Sequence, residues 1–342
     1  MDKDDYKIAI VGAGAVGGIL AAYLTEKGFD VETVCKYPDA VKACREGLKI
    51  SGVRGSRRVP LKTVLTPEYL SGPKDAILIA TKAYDLAKTA KECLPYLKQG
   101  GIMLSMQNGI CTDILAGIAG ENASVGCVIT YAATQIDRGH MELTGEGGLI
   151  IGYPHGRRDG KLETLAYVLN EAFPTAISDD IVSELYTKLI VNAGIAALGV
   201  LTGMPLGVLL KIRLARRVFT RAVREAVSAA DANGVALKKF AGKVNYYFFV
   251  RRNPISAVFR NLVYSSMGKR YSGLVSSSYQ SFLRGRPTEV DFLNGEVVRY
   301  ADKAGVPAPV NKRIIAMVKE VERGEREIAV KNLKEILQYG EK

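Results

Sequence analysis

Histidine and cysteine are scarce in this chain. Two histidines, His140 and His155, and five cysteines, Cys35, Cys44, Cys93, Cys111 and Cys127, are spread over 342 residues. No cysteines form a C-x-x-C pair, so the usual zinc-site and disulfide-framework spacings are excluded and a reduced, cytoplasmic setting is expected. No metal is expected. His140 has no acidic or serine partner in an obvious sequence pattern and reads as structural. The start, M-D-K-D-D-Y-K, is acidic and polar, and the apolar run behind it is too short for a signal peptide. Charge is missing from Leu189 to Leu210, between Lys188 and Lys211, a length that could cross a bilayer. That stretch holds Asn192, Gly194, Gly199, Gly203, Pro205 and Gly207, which predicts two buried helices with a turn near Thr202 to Pro205. Acidic residues are nearly missing from 211–275, where 14 Lys+Arg face 2 Asp+Glu. The other segments nearly cancel, so the net charge of +12 is a local feature. Such an excess could attract nucleic acid, anionic lipid or phosphorylated ligands; a solvated helical face is the plainer reading.

What is present begins at Lys7. K-I-A-I-V-G-A-G-A-V-G-G reads as a buried strand, Ile8 to Val11, a glycine turn, and a helix carrying Val16, Ile19, Leu20, Tyr23 and Leu24. Gly12, Gly14 and Gly17 fit G-x-G-x-x-G: one glycine for the tight turn, one for close approach of a pyrophosphate, one for packing helix on strand. Gly12, Ala13, Gly14, Ala15, Val16 and Gly17 are therefore the candidate phosphate-binding segment, with the helix N-terminus facing the anion.

Further strands follow in α/β alternation. Asp30 to Val34 predicts the second, ending Val34-Cys35-Lys36. An acidic residue at that strand's end would hold an NAD ribose. Glu32 falls too early and Asp39 too late, and Lys36 suits a 2′-phosphate, which favours NADP(H). A helix is expected over Asp39 to Glu46, a hairpin around Gly52 to Ser56, and a strand over Asp75 to Ala80 that ends at Lys82. A helix with Leu86, Cys93, Leu94 and Leu97 on one side and a strand over Gly101 to Ser105 come next. Asn108-Gly109 lies at that strand's carboxyl end, where ligands bind in such sheets. The Asn108 amide can both donate and accept, although Asn-Gly is also a common turn pair. Ser124 to Ala133 is β-rich, and His140 to Leu143 and Leu149 to Tyr153 read as an antiparallel extension of the sheet. A helix over Lys161 to Ala172 and a strand near Ala176 to Ser178 close this half. From Ile181 helical periodicity takes over, through Ile181 to Leu201 and Leu206 to Asn233. The fold class is α/β followed by all-α: a Rossmann-type dinucleotide-binding domain at 1–178 and a helical substrate and dimerisation domain at 179–342, with a basic insertion around 240–275.

The helical half opens with Ser183-Glu184-Leu185-Tyr186-Thr187-Lys188-Leu189-Ile190-Val191-Asn192. Together with Lys82, Asn108-Gly109, Ser276-Ser277-Ser278-Tyr279-Gln280-Ser281, Thr288-Glu289-Val290-Asp291-Phe292-Leu293-Asn294-Gly295 and Gly305-Val306-Pro307-Ala308-Pro309-Val310-Asn311, this resembles the ketopantoate reductase (2-dehydropantoate 2-reductase) family. The resemblance covers most of the chain and implies a 6-phosphogluconate dehydrogenase-like fold and NADPH-dependent reduction of ketopantoate on the route to pantothenate and coenzyme A. It implies that Lys188 is the general acid, that Asn192 and Ser277 bind substrate, that Asn108 and Lys82 lie near nicotinamide and substrate, and that Glu289 helps hold substrate and the lysine. A homodimer is expected, with a small 2-oxo acid as substrate and no nucleic acid or membrane partner. The chemistry agrees: a positioned ammonium stabilises the oxyanion formed on a reduced ketone and supplies its proton. Lys188 and Asn192, at i and i+4, face one way on a helix.

Three departures bear on the substrate. Ala196 stands where the family often has a second asparagine, Ser281 where it has an aspartate, and the basic, aromatic segment between about 240 and 274 is longer than usual. A related reductase of another 2-oxo acid or imine therefore stays open. So does a non-catalytic nucleotide-binding protein that uses Arg251 and Arg252 among Tyr247, Phe248, Phe249 and Phe259 to bind nucleic acid or an anionic membrane.

Overall fold

The computed structural model describes residues 3–239, 245–251, 253–270, 273 and 275–339. Arg252 and part of the 240–275 segment lie outside the described residues. In chain order the strands are β1 (Ile8–Val11), β2 (Val31–Val34), β3 (Leu48–Gly52), β4 (Arg57–Val59), β5 (Lys62–Val64), β6 (Lys74–Ile79), β7 (Leu97–Ser105), β8 (Ser124–Ile129), β9 (Ala132–Asp137), β10 (His140–Gly145), β11 (Leu149–Gly152) and β12 (Thr175–Ile177). The helices are α1 (Ala15–Glu26), α2 (Pro38–Gly47), α3 (Leu86–Cys93), α4 (Thr112–Ala119), α5 (Gly160–Asn170), α6 (Ile181–Thr202), α7 (Leu206–Leu209), α8 (Arg213–Ala232), α9 (Tyr247–Val250), α10 (Pro254–Arg270), α11 (Ser277–Leu283), α12 (Val290–Lys303), α13 (Pro309–Glu322) and α14 (Lys331–Tyr339). The chain divides into two compact units, 1–107 with 111–185, and 108–110 with 186–342.

The first unit is built on an eight-stranded sheet of order β12-β11-β8-β7-β6-β1-β2-β5. All its pairings are parallel except β8 with β11. β1 lies inside it, between β6 and β2, with all four residues buried, which is why it reads as an unbroken apolar run. Because β1, β2, β6 and β7 run parallel, their carboxyl ends deliver Gly12, Lys36, the Ala80 to Lys82 turn and Gln107 to the same edge of the sheet.

Three expectations are corrected. β10 does not extend this sheet. It lies in a four-stranded sheet of order β4-β3-β10-β9, parallel to β3 and antiparallel to β9. Alternation fixes which faces a strand presents, not which strand it joins. His140 meets the Ser51 hydroxyl of β3 there, 2.7 Å from Nε2. The helix expected to carry Leu94 and Leu97 stops at Cys93: Pro95 sets a 3-10 turn over Leu94–Tyr96, and β7 begins at Leu97. The run from Leu206 to Asn233 is not one helix, because extended backbone at Ile212 separates α7 from α8.

In the second unit α8 buries Val218, Phe219, Ala222, Val223 and Ala226 along one stripe, the 3.6-residue spacing of an amphipathic helix. The charge-free stretch divides at Thr202, as its glycines and Pro205 imply, and the apolar helix α6 is mostly buried within the protein. A Cβ on Gly194 would lie 2.7 Å from the Phe219 ring, so glycine there admits α8.

Candidate active site

The three motif glycines do different work. Gly12 has φ +106°, the left-handed region, and a Cβ on it would lie 2.9 Å from the Ala80 carbonyl carbon at the end of β6. A Cβ on Gly17 would overlap the Gly12 oxygen and come within 2.9 Å of Ala80 Cβ. Both are required by the protein's own packing. A Cβ on Gly14 would meet nothing within 4 Å. Gly14 caps α1 without any side-chain hydrogen bond, and no acidic residue occupies the first helical turn. The segment Gly12, Ala13, Gly14, Ala15, Val16, Gly17 thus presents unfilled space and N–H groups to an anion, the cradle a pyrophosphate needs.

Beside it, neither carboxylate near β2 is offered to a ribose. Glu32 is buried and accepts from Lys74 Nζ, itself fully buried, and from the Ser71 N–H and hydroxyl, each at 3.0 Å. Burial pushes the Glu32 carboxyl up, but these hydrogen bonds outweigh it and hold the group below its ordinary value. Asp39 receives Arg138 Nη1 on both oxygens, at 2.6 and 2.7 Å. The Arg138 guanidinium lies 4.3 Å from the Tyr37 ring centroid and Lys36 Nζ lies 5.9 Å from it. Lys36 is exposed and reaches Asp85 at 3.3 Å. The end of β2 is therefore flanked by two cations, and Arg138 could not be found from local sequence because it arrives from the turn between β9 and β10.

Lys82, half-buried, starts a 3-10 turn, and its carbonyl accepts from the Asp85 N–H at 2.9 Å. That turn is braced by Gln107, another residue that sequence reasoning missed. The Gln107 amide donates to the Ile79 and Thr81 carbonyls at 2.8 and 3.1 Å and accepts from the Ser105 hydroxyl at 2.6 Å. It ties the ends of β6 and β7 together.

In the second unit Lys188 and Asn192 lie on the half-exposed stripe of α6 with Val191 and Ile195, while Leu185, Tyr186, Thr187, Leu189 and Ile190 are buried. Tyr186 donates from its hydroxyl to Ala226 O at 3.0 Å and packs edge-on against Tyr300, and Thr187 Oγ1 accepts from the Lys238 N–H at 3.0 Å. These anchors fix the rotation of α6 and so the direction of Lys188. Asn192 Nδ2 lies 3.4 Å from Asn108 Oδ1, so two of the expected site residues meet. Asn108-Gly109-Ile110 clusters with this unit. Gly109 has φ +99°, and a Cβ there would overlap the Phe292 carbonyl oxygen. Asn108-Gly109 is thus both a turn and a docking point on α12.

Glu289 is 3 % exposed at the N-terminus of α12. Ser277 is the exposed first residue of α11. The hydroxyl that reaches α6 is that of Ser276, which donates to Ala196 O at 3.0 Å and caps α11. Ser281, at the expected aspartate position, donates back to Ser277 O at 3.0 Å, and Ala196 is buried. The asparagines of the late motifs are structural. Asn294 donates to Ala193 O at 3.0 Å and to Asn311 Oδ1 at 2.9 Å, and Asn311 donates to Glu225 at 2.7 Å. Burial pushes the Glu225 carboxyl up, against the opposing hydrogen bonds from Asn311 and Val310. All five cysteines are buried free thiols; burial pushes Cys44 up to about 11 and Cys93 up to about 12, which leaves them protonated and unreactive at neutral pH.

A parallel sheet with a glycine turn at its carboxyl edge, followed by a helical unit that presents a lysine and an asparagine, defines the class of two-domain dinucleotide-fold oxidoreductases. Two family models match, Ketopantoate reductase PanE/ApbA over residues 8–156 and its C-terminal counterpart over residues 180–322. The 2-dehydropantoate 2-reductase of Pyrococcus abyssi is 30% identical over 316 residues, 92% of this chain and 97% of that protein. The crystal structure of a PanE/ApbA family ketopantoate reductase from Ralstonia eutropha is 26% identical with a TM-score of 0.80, covering 94% of this chain and all of that one. The structure of D-mandelate dehydrogenase with NADH and anilino(oxo)acetate shares the fold at a TM-score of 0.80 and 24% identity, over 93% of this chain and 99% of that one. The chain belongs to the ketopantoate reductase family.

Proposed function

We propose that this chain reduces ketopantoate to pantoate with NADPH, in the cytoplasm and as a homodimer. The observation that carries the reading is the placement of Lys188 and Asn192 on the open stripe of an otherwise buried helix, with Asn192 against Asn108. The nicotinamide cofactor supplies the hydride. Gly14 and the N-terminus of α1 receive its pyrophosphate, and Lys36 with Arg138 receives the 2′-phosphate. Lys82, on the turn braced by Gln107, holds the nicotinamide side. Asn108, Asn192 and Ser277 orient the 2-oxo acid, Lys188 gives its proton to the carbonyl oxygen, and buried Glu289 holds substrate and lysine in place. The deciding assay is NADPH oxidation with ketopantoate beside a panel of other 2-oxo acids; turnover with another acid alone would remove ketopantoate and keep the mechanism. Ala196 favours testing that panel, because it offers no side-chain polar group where a contact can decide selectivity.

Two predictions arise from the cofactor reading. Lys36→Glu is expected to raise the KM for NADPH by about tenfold or more, the worth of one charge-assisted hydrogen bond, with little change for NADH. Equal losses with both cofactors would sink the 2′-phosphate assignment. Gly14→Ala is expected to leave the melting temperature near wild type and weaken NADPH binding, whereas Gly17→Ala is expected to lower the melting temperature itself. Thermal melts and fluorescence titration separate the two; a Gly14→Ala variant that binds NADPH normally would show that the open space is not the phosphate cradle.

A further inference from the structure

A dense concentration of positive charge among the described residues supplies none of the groups assigned to this chemistry. Between α8 and α10, within the second unit, lies a groove of about 570 Å³, lined by seven cations and by no acidic residue among the described residues. Arg213, Arg216, Arg217, Arg221 and Arg224 come from one face of α8, at the i, i+3, i+4 spacing where like charges repel. A merely solvated face would let such side chains splay into water. Here several are folded down onto backbone carbonyls of the protein. Arg216 Nε donates to Leu210 O, Arg221 Nη1 to Leu337 O at 2.8 Å, and Arg224 Nε to Phe249 O at 2.7 Å. From α10, Arg260 Nη1 donates to Phe248 O and Arg251 O, each at 2.9 Å. A backbone carbonyl fixes the orientation of a guanidinium, and each guanidinium has five N–H donors to share. The result is a concave set of pre-oriented forks, the geometry that recognises phosphate oxygens.

We propose that this groove binds a small, multiply phosphorylated anion. Its volume lies in the range of small-molecule sites, and the polar side chains of Thr220 and Asn261 also line it. A single-stranded nucleic acid is the weaker occupant, because the aromatic faces it would stack on are already used. Phe249 is buried, Phe248 and Phe259 stack on each other with centroids 4.2 Å apart, and the Tyr247 hydroxyl donates to Asp231 at 2.7 Å.

The test is calorimetric titration of the full chain with inorganic tripolyphosphate at about 0.15 M salt, where weak long-range attraction is screened. One saturable site is expected. Arg213 and Arg217 are exposed, so Arg213→Gln/Arg217→Gln spares the packed interior and is expected to weaken binding by at least about tenfold. Lys303→Gln/Lys334→Gln removes the same charge elsewhere and is expected to bind as wild type does. NADPH oxidation is expected to be unchanged in both, which separates this site from the dinucleotide turn. No saturable binding, or equal weakening in both double variants, overturns the proposal. So does an oligonucleotide or a phosphatidylglycerol vesicle that binds through Arg213 and Arg217 and is not displaced by tripolyphosphate.

Discussion

Lys188→Ala is expected to lower kcat for ketopantoate reduction by about 10²- to 10⁴-fold, the usual worth of a positioned general acid. The dissociation constant for NADPH should stay close to wild type. The expectation rests on how firmly α6 is held. Tyr186 and Thr187, immediately before Lys188, are buried and hydrogen-bonded to Ala226 O and to the Lys238 N–H. Lys188 therefore leaves a helix whose rotation is fixed, at a half-exposed position. A lysine that served only packing would show the reverse pattern: near-normal kcat with a lowered melting temperature. Lys188→Arg keeps the charge but not the proton chemistry, since arginine does not deprotonate in proteins. It should therefore recover substrate binding more than turnover. A wild-type kcat in Lys188→Ala would remove the residue from the mechanism.

Lys74→Met should destabilise the first unit by about 3–5 kcal/mol, the cost of leaving a buried charge without its partner. Lys74 is fully buried and pairs with Glu32, which is 7 % exposed and also accepts from Ser71. The double variant Glu32→Gln/Lys74→Met should recover most of the loss, because the orphaned carboxylate is gone. Urea unfolding of Lys74→Met, Glu32→Gln, the double variant and wild type closes the cycle. Additive losses would show that the two groups do not act as a pair. The pH dependence has a definite sign. The folded Glu32 carboxyl titrates below its ordinary value of 4.5, so its contribution is complete above that value. It is lost as pH falls through the lower, folded value. The Lys74→Met protein should lack that part of the acid sensitivity.

The sheet was legible where burial on both faces leaves an apolar run, as at Ile8 to Val11, and where a glycine turn follows it, as at Gly12; the helix end set by Pro95 was not. Lys36, Lys82 and Asn108 could be placed because carboxyl ends of parallel strands collect at one edge. The partners of strands were not legible. β10 carries an alternating pattern that fits an edge of either sheet, and only its pairing with β3 decides between them. Nor could local pattern show Gln107 bracing two strand ends, Arg138 crossing to Asp39, or Glu32 spent on Lys74. Those contacts join residues 26 to 99 positions apart. On the helical side, the spacing of Lys188 and Asn192 was readable. The preference of α6 for Ser276 over Ser277 was not, since one residue of helical phase separates a capping hydroxyl from an exposed one.

The three residues Asn108, Gly109 and Ile110 stand early in the sequence, yet they cluster with the helices that follow residue 185. The helical unit is therefore not a transplantable module. A gene fragment that begins after residue 185 omits the turn whose glycine accommodates the Phe292 carbonyl, together with the side chain that meets Asn192. Exchange of helical halves between relatives, by recombination or by design, has to carry the donor's short turn across with it. Inheritance of the two halves is tied at that point, and a change in α12 near Phe292 is constrained by what stands at position 109.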